Sequence, residues 1–160
     1  MKNLLLNNKS FFPETSYFIL RFFSGVMMCY YHGWSKLLSD SSRWERLGNA
    51  VTQWIGFESL SVGFGFMAAF SESIGALLIA IGLLTRPAAF LLGITMLVAS
   101  SKKLSEAGID GSELPILFLI LNLVVILKGP GKYSLDHYLL KKNKRFDLTH
   151  IKKKISKFSD

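Results

Sequence analysis

From Phe64 to Leu84 the chain carries one charge, Glu72, and from Leu114 to Leu127 it carries none. A helix needs roughly 20 mainly apolar residues, or about 17 at the short end, to cross a bilayer. A helix of a soluble domain needs a polar face, and these stretches offer almost none. Lipid is therefore the expected solvent, and helices buried in a soluble fold are the alternative set aside.

Four stretches qualify as spans: about 16–38, 64–84, 87–104 and 112–128. Pro13 stands near the start of the first, where its missing N–H costs little. Ser112 reads as the N-cap of the fourth, and Gly129-Pro130-Gly131 as its stop. Only Thr85 and Arg86 join spans two and three, which predicts a tight antiparallel pair. The expected fold is all-α: an integral membrane four-helix bundle over residues 1–133, followed by a basic amphipathic tail over 134–160.

The link between spans one and two is more than a loop. Ser42 and Glu45 have capping-box spacing, and Trp44, Leu47, Val51, Trp54 and Ile55 recur at steps of three and four before Gly56. This predicts an amphipathic helix in the outer interface, covering an opening of the bundle. In the tail, Leu148, Ile151, Ile155 and Phe158 repeat the pattern among Lys152, Lys153, Lys154 and Lys157. That predicts a basic helix on anionic lipid or an acidic partner, with a solvated tail as the plain alternative.

Charge fixes the orientation. From Lys128 onward ten basic residues face three acidic ones, which accounts for +7 of the chain's net +8. With four spans both ends share one side, and that side holds thirteen Lys and Arg against five on the other. The positive-inside rule makes it cytoplasmic. A pI near 9.7 also suits nucleic acid, but the apolar body points to a membrane and no nucleic-acid partner is expected. Met1–Pro13 lacks the order of a cleaved signal peptide, so the first span is expected to act as its own insertion signal.

Few residues can carry chemistry. Only His32 of three histidines lies in a span, too few for a two-ligand haem. No metal cluster or nucleotide loop appears in the sequence, and the lone Cys29 reads as a small hydrophobe. No tightly bound cofactor and no metal are expected. What remains is a polar set inside an apolar body: Arg21, His32, Lys36 and Glu72. Charges at bilayer depth cost about 2.5 to 3.5 kcal/mol and face the interior. Arg21 and Glu72 are the expected pair, roughly 6 Å apart along the axis at about 1.5 Å per residue. His32, roughly 10 Å outward, reaches Glu72 only through tilt or water. One reading is a structural ion pair that fixes helix register. The other is a site for a polar head, such as that of a quinone, which needs donors for its carbonyls and a proton route.

Ser71 and Gly75, Ala76 and Ala80, and Ala89 and Gly93 allow close helix packing. Asn122 is expected to bond across helices, and Tyr30 and Tyr31 to sit near the outer interface. Ser134 is expected to cap a following helix with Asp136 in its first turn.

Taken in order, Arg21-Phe-Phe-Ser-Gly25, His32-Gly33 with Lys36, Glu72 with Gly75, Gly82-Leu-Leu-Thr-Arg86 and Gly129-Pro-Gly-Lys-Tyr-Ser134-Leu-Asp136 resemble the DoxX family of small four-span bacterial membrane proteins. The resemblance implies the bacterial inner membrane. It also implies a link to quinone-coupled oxidation or to thiol-redox assemblies, as an accessory subunit. The expectation is a protein that binds a quinone through Arg21, His32, Lys36 and Glu72, or docks a redox partner. The alternative is a non-catalytic anchor or assembly factor, working with other subunits or as a homo-oligomer. A transporter is disfavoured, because no broken helices or inverted repeats show in the sequence.

Overall fold

Pro13 opens the first helix at a position where its lost N–H needs no partner. The computed structural model describes residues 12–142, and among them every regular element is a helix. Helix α1 is Pro13–Met27, a wide π-type turn Met28–Gly33, and a last turn Trp34–Leu37. Helix α2 is Ser41–Ile55. Helix α3 follows the short turn Glu58–Leu60 and comprises Ser61–Phe70, a second π-type turn Ser71–Gly75, and Ala76–Ile81. The helix Thr85–Lys128 breaks at Gly108 (φ 70°, ψ −159°), and its two limbs are α4 and α5. Residues 135–142 form α6. The amphipathic stretch expected around 148–158 lies outside the described residues.

Several expected boundaries move, each for a local reason. The cap of α2 is Asp40, not Ser42: its carboxylate accepts the Arg43 N–H at 3.1 Å from an extended backbone. The helix therefore starts before the supposed capping box. Gly56 ends it in the left-handed region, as the sequence implies. Thr85 and Arg86 do not form the turn between spans two and three. That turn is Gly82–Leu84, and Thr85 opens α4. Span three does not fade at Lys103, because α4 stays helical up to Gly108. Ser112 is no N-cap, since it sits inside α5 and its hydroxyl donates to the carbonyls of Gly108 and Ile109. A left-handed glycine replaces the expected loop. The limbs then run back on each other, with Arg86 Nε donating to the Ile126 carbonyl and Gly93 facing Asn122.

The distribution of residues is the reverse of a water-soluble domain. The buried set is rich in Ala, Ser and Thr and includes Arg21 and Glu72. Large apolar side chains point outward, with Phe90 61% and Leu127 80% exposed. Two helices, Glu58–Ile81 and Thr85–Lys128, are long and apolar enough to cross a membrane. Small residues inside and apolar ones outside suit helices that pack by contact in lipid. Tyr30 and Tyr31 are exposed, and Cys29 is half-buried against the core. Asn122 is buried but bonds within its own helix, to the Phe118 carbonyl at 2.7 Å, rather than across helices.

Helices α1 and α3 meet at their two π-type turns. A Cβ on Gly33 would lie 2.2 Å from the Glu72 carbonyl oxygen, so only glycine allows this approach. Helix α2 packs on the start of α3 in the same way, with Gly48 against the Ser61 carbonyl and Trp44 against the Phe66 ring. The apolar stripe read from the sequence is divided in space. Trp44, Leu47 and Val51 are partly buried, whereas Trp54 is 76% exposed.

Candidate functional site

Two polar centres lie inside the helices, and they use the expected residues in unexpected pairings. The first is at the end where α1 begins. Helix α3 stops at Ile81, where the Gly82 N–H reaches the Leu78 and Ile79 carbonyls and the last turn keeps acceptor capacity to spare. Arg21, fully buried, donates one guanidinium nitrogen to the carbonyls of Ile79 and Ala80, and another to that of Tyr133 at 2.8 Å. The expected Arg21–Glu72 pair is therefore absent. Ile79 lies about two helical turns from Glu72, and the long side chain reaches toward the helix end instead.

The closing motif completes this clamp. Tyr17 donates its hydroxyl to the Gly129 carbonyl at 2.6 Å, and Glu14 accepts the Lys132 N–H at 3.1 Å. Asp136 accepts the N–H groups of Leu84 and Thr85, each at 2.9 Å, and the Thr85 hydroxyl at 2.8 Å. It thus caps α4 from a distant part of the chain, beyond its place in the first turn of α6. That hold accounts for Leu84 standing at φ 47°, a conformation unusual for a side-chain-bearing residue. Burial alone would raise the Asp136 carboxyl, but the Thr85 and Leu84 hydrogen bonds and the Arg21 charge outweigh it and hold the group below its ordinary value. Ser134 does cap α6, accepting the His137 N–H at 3.1 Å.

The second centre lies further along α1. Lys36 is one turn past Gly33 on the same face of the helix. Because Gly33 touches the Glu72 backbone, Lys36 meets the Glu72 carboxylate, and the two form an ion pair. Glu72 is 3% exposed. Among the described residues only one of its oxygens is hydrogen-bonded.

This pair forms part of the wall of a cavity of about 450 Å³ enclosed by α2, α3 and α4. Leu47, Val51, Met67, Leu91 and Ile94 are among its apolar lining, and Lys102, Lys103 and Glu106 also line it. A smaller cavity of about 80 Å³ also reaches Lys36 and Glu72, bordered by His32, Lys103 and Phe118. Of the four expected site residues, His32, Lys36 and Glu72 thus come together, and Arg21 does not. His32 stands at the small cavity rather than the large one, its ring 6.4 Å from that of Phe118. Lys102, Lys103 and Glu106 are not among the site residues expected from the sequence. Their signal was a helical continuation past Ser101 that low hydropathy concealed. No group of His, Cys, Asp and Glu able to hold a metal occurs among the described residues.

Outward-facing apolar side chains and two helices of membrane-crossing length define the class as a membrane protein. The DoxX family model matches residues 16–101, more than half of the chain, and the chain belongs to that family. No curated protein and no solved structure matches it.

Proposed function

We propose that this protein binds the head of a lipid-soluble quinone at Lys36 and Glu72, as an accessory subunit of a quinone-linked redox system. One observation carries the reading: a buried carboxylate paired with a partly buried ammonium forms one wall of an apolar cavity of about 450 Å³. Ligand sites of roughly 300–1,000 Å³ are mostly apolar, with a few placed polar groups. A quinone supplies ring carbonyls that accept hydrogen bonds and take up protons on reduction. The Lys36 ammonium donates to such an oxygen, and the Glu72 carboxyl exchanges a proton beside it. The apolar lining from α2, α3 and α4 shelters the ring and the start of its tail. Arg21, committed to the clamp, takes no part.

In this reading the chain crosses the inner membrane four times, along α1, α3, α4 and α5, with both termini cytoplasmic. The clamp then faces the cytoplasm, and the cavity opens toward the outer leaflet. Electron-carrying centres belong to partner subunits.

The test is quinone affinity of the full chain in lipid nanodiscs, measured by quenching of intrinsic tryptophan fluorescence. Glu72→Gln should weaken a short-chain benzoquinone about tenfold, or about 1.4 kcal/mol, while the melting temperature holds. Unchanged affinity in a folded Glu72→Gln protein removes the quinone reading and leaves an anchor.

A further inference from the structure

The large cavity does not account for His32. Of the two cavities, that side chain lines the small one, together with Met28, Met96, Leu114 and Phe118. Lys36, Glu72 and Lys103 line both cavities, so the ion pair and Lys103 stand on the partition between them. The two spaces differ in character. Small as it is, the second one has four polar or charged side chains around about 80 Å³. A water molecule needs roughly 10–15 Å³ of such space and two to four polar partners. The small cavity exceeds the volume needed several times over, and its four side chains meet the need for partners. Lys103 is exposed, so the cavity reaches the surface at that end. Pro115 also stands in its wall.

The groups facing Glu72 are few. Helix α1 presents Lys36 and His32, and α4 presents Lys103, with Lys102 and Glu106 further along. Helix α5 presents only Leu114, Pro115 and Phe118, and α2 only Leu47, Ala50 and Val51. Among these, His32 is the one side chain that can accept a proton on one ring nitrogen and give one up from the other. It borders the same small cavity as the buried Glu72 carboxylate and the exposed Lys103.

We propose that the small cavity is a water-filled proton port, connecting Glu72 through His32 to the surface at the Lys103 end, opposite the clamp. A proton enters from water at the mouth and forms an N–H bond on one imidazole nitrogen. The other nitrogen gives up its proton through water, forming an O–H bond on Glu72. The reverse sequence releases a proton outward. No electrons move in the port. The proposal rests on the preceding reading only in leaving the large cavity to the ligand, so that ligand and proton approach Glu72 by different routes.

The experiment uses the full chain, labelled at histidine, in liposomes whose inner and outer pH are set independently. Nuclear magnetic resonance reads the charge state of His32 and of His137, which lies beyond the clamp. Each signal is assigned by its loss in His32→Phe or His137→Phe. His32 should follow the pH of one compartment and His137 that of the other. Filling the large cavity with a short-chain benzoquinone should leave the His32 response in place. Leu114→Trp, which occupies the small cavity, should abolish that response. His32 following the same compartment as His137, or neither, overturns the port. So does a His32 response that disappears when quinone binds, because protons would then travel through the large cavity. If no quinone binds, the ligand reading fails by itself, and the port still stands or falls on the two-compartment titration.

Discussion

The clamp at one end of the helices and the ion pair further along are built from the same materials and serve opposite ends. At the clamp, Arg21, Tyr17 and Asp136 meet backbone groups at helix ends, and the Thr85 hydroxyl donates to Asp136. These bonds tie helix ends to the closing motif, and neither of the two cavities beside Glu72 is lined by Arg21. At the ion pair, Lys36 and Glu72 satisfy one another only in part, with cavities on two sides. Polar groups that finish the backbone hold a fold together. Polar groups left with spare bonding capacity beside empty space are available to a ligand.

This difference can be broken by substitution. The largest effect should come from Arg21→Met, which strips donors from buried carbonyls of α3 and the closing motif. Hydrogen bonds from charged groups contribute about 1.5–3 kcal/mol each. Folded yield and detergent melting temperature should collapse, and a protein that still melts normally would show that the clamp is ornamental. Gly33→Ala comes next, at about 1–3 kcal/mol from forced separation of α1 and α3. Because it also pulls Lys36 from Glu72, it should lower both stability and quinone affinity, whereas Glu72→Gln lowers affinity alone. Crosslinking between cysteines placed on the two helices checks the separation.

Asp136 sharpens the contrast through pH. Its native carboxyl lies below the unfolded value of about 3.9. Its contribution is therefore fully present above that unfolded value, and is lost as pH falls through the lower native one. Asp136→Asn should destabilise the protein at neutral pH and flatten its acid response, as seen in thermal melts across that range. Tyr17→Phe should have the smallest effect, about 1 kcal/mol, by freeing the Gly129 carbonyl. It should leave quinone affinity untouched.

The helices were legible because long apolar runs with few charges admit no other solvent. The motif residues were legible too, and Gly82, Gly129 and Ser134 do what their types suggest. The partners of the charges were not. Axial arithmetic paired Arg21 with Glu72, but it assumed regular helices and ignored the carbonyls at the end of α3 that Arg21 reaches. It also missed both π-type turns, which rotate one part of a helix relative to the next without any mark in composition. Likewise, Trp54 shares a stripe with Trp44 on paper but not in space. The inward face of α2 is chosen by the close approach of Gly48, and a count of apolar residues gives glycine no weight. The cavity walls near Lys102 and Lys103 were hidden because hydropathy marks where lipid ends, not where a helix does.

The wide turn Met28–Gly33 has a consequence for how this sequence tolerates length changes. A π-type turn amounts to one residue more than an α-helix requires. Deleting a single residue there would leave a smoother and locally more regular helix. Yet every position beyond it would swing by about 100°, carrying Lys36 away from Glu72 and His32 away from its cavity. The ion pair thus depends on an insertion that local helix regularity disfavours, and a shorter α1 would gain order while losing its chemistry.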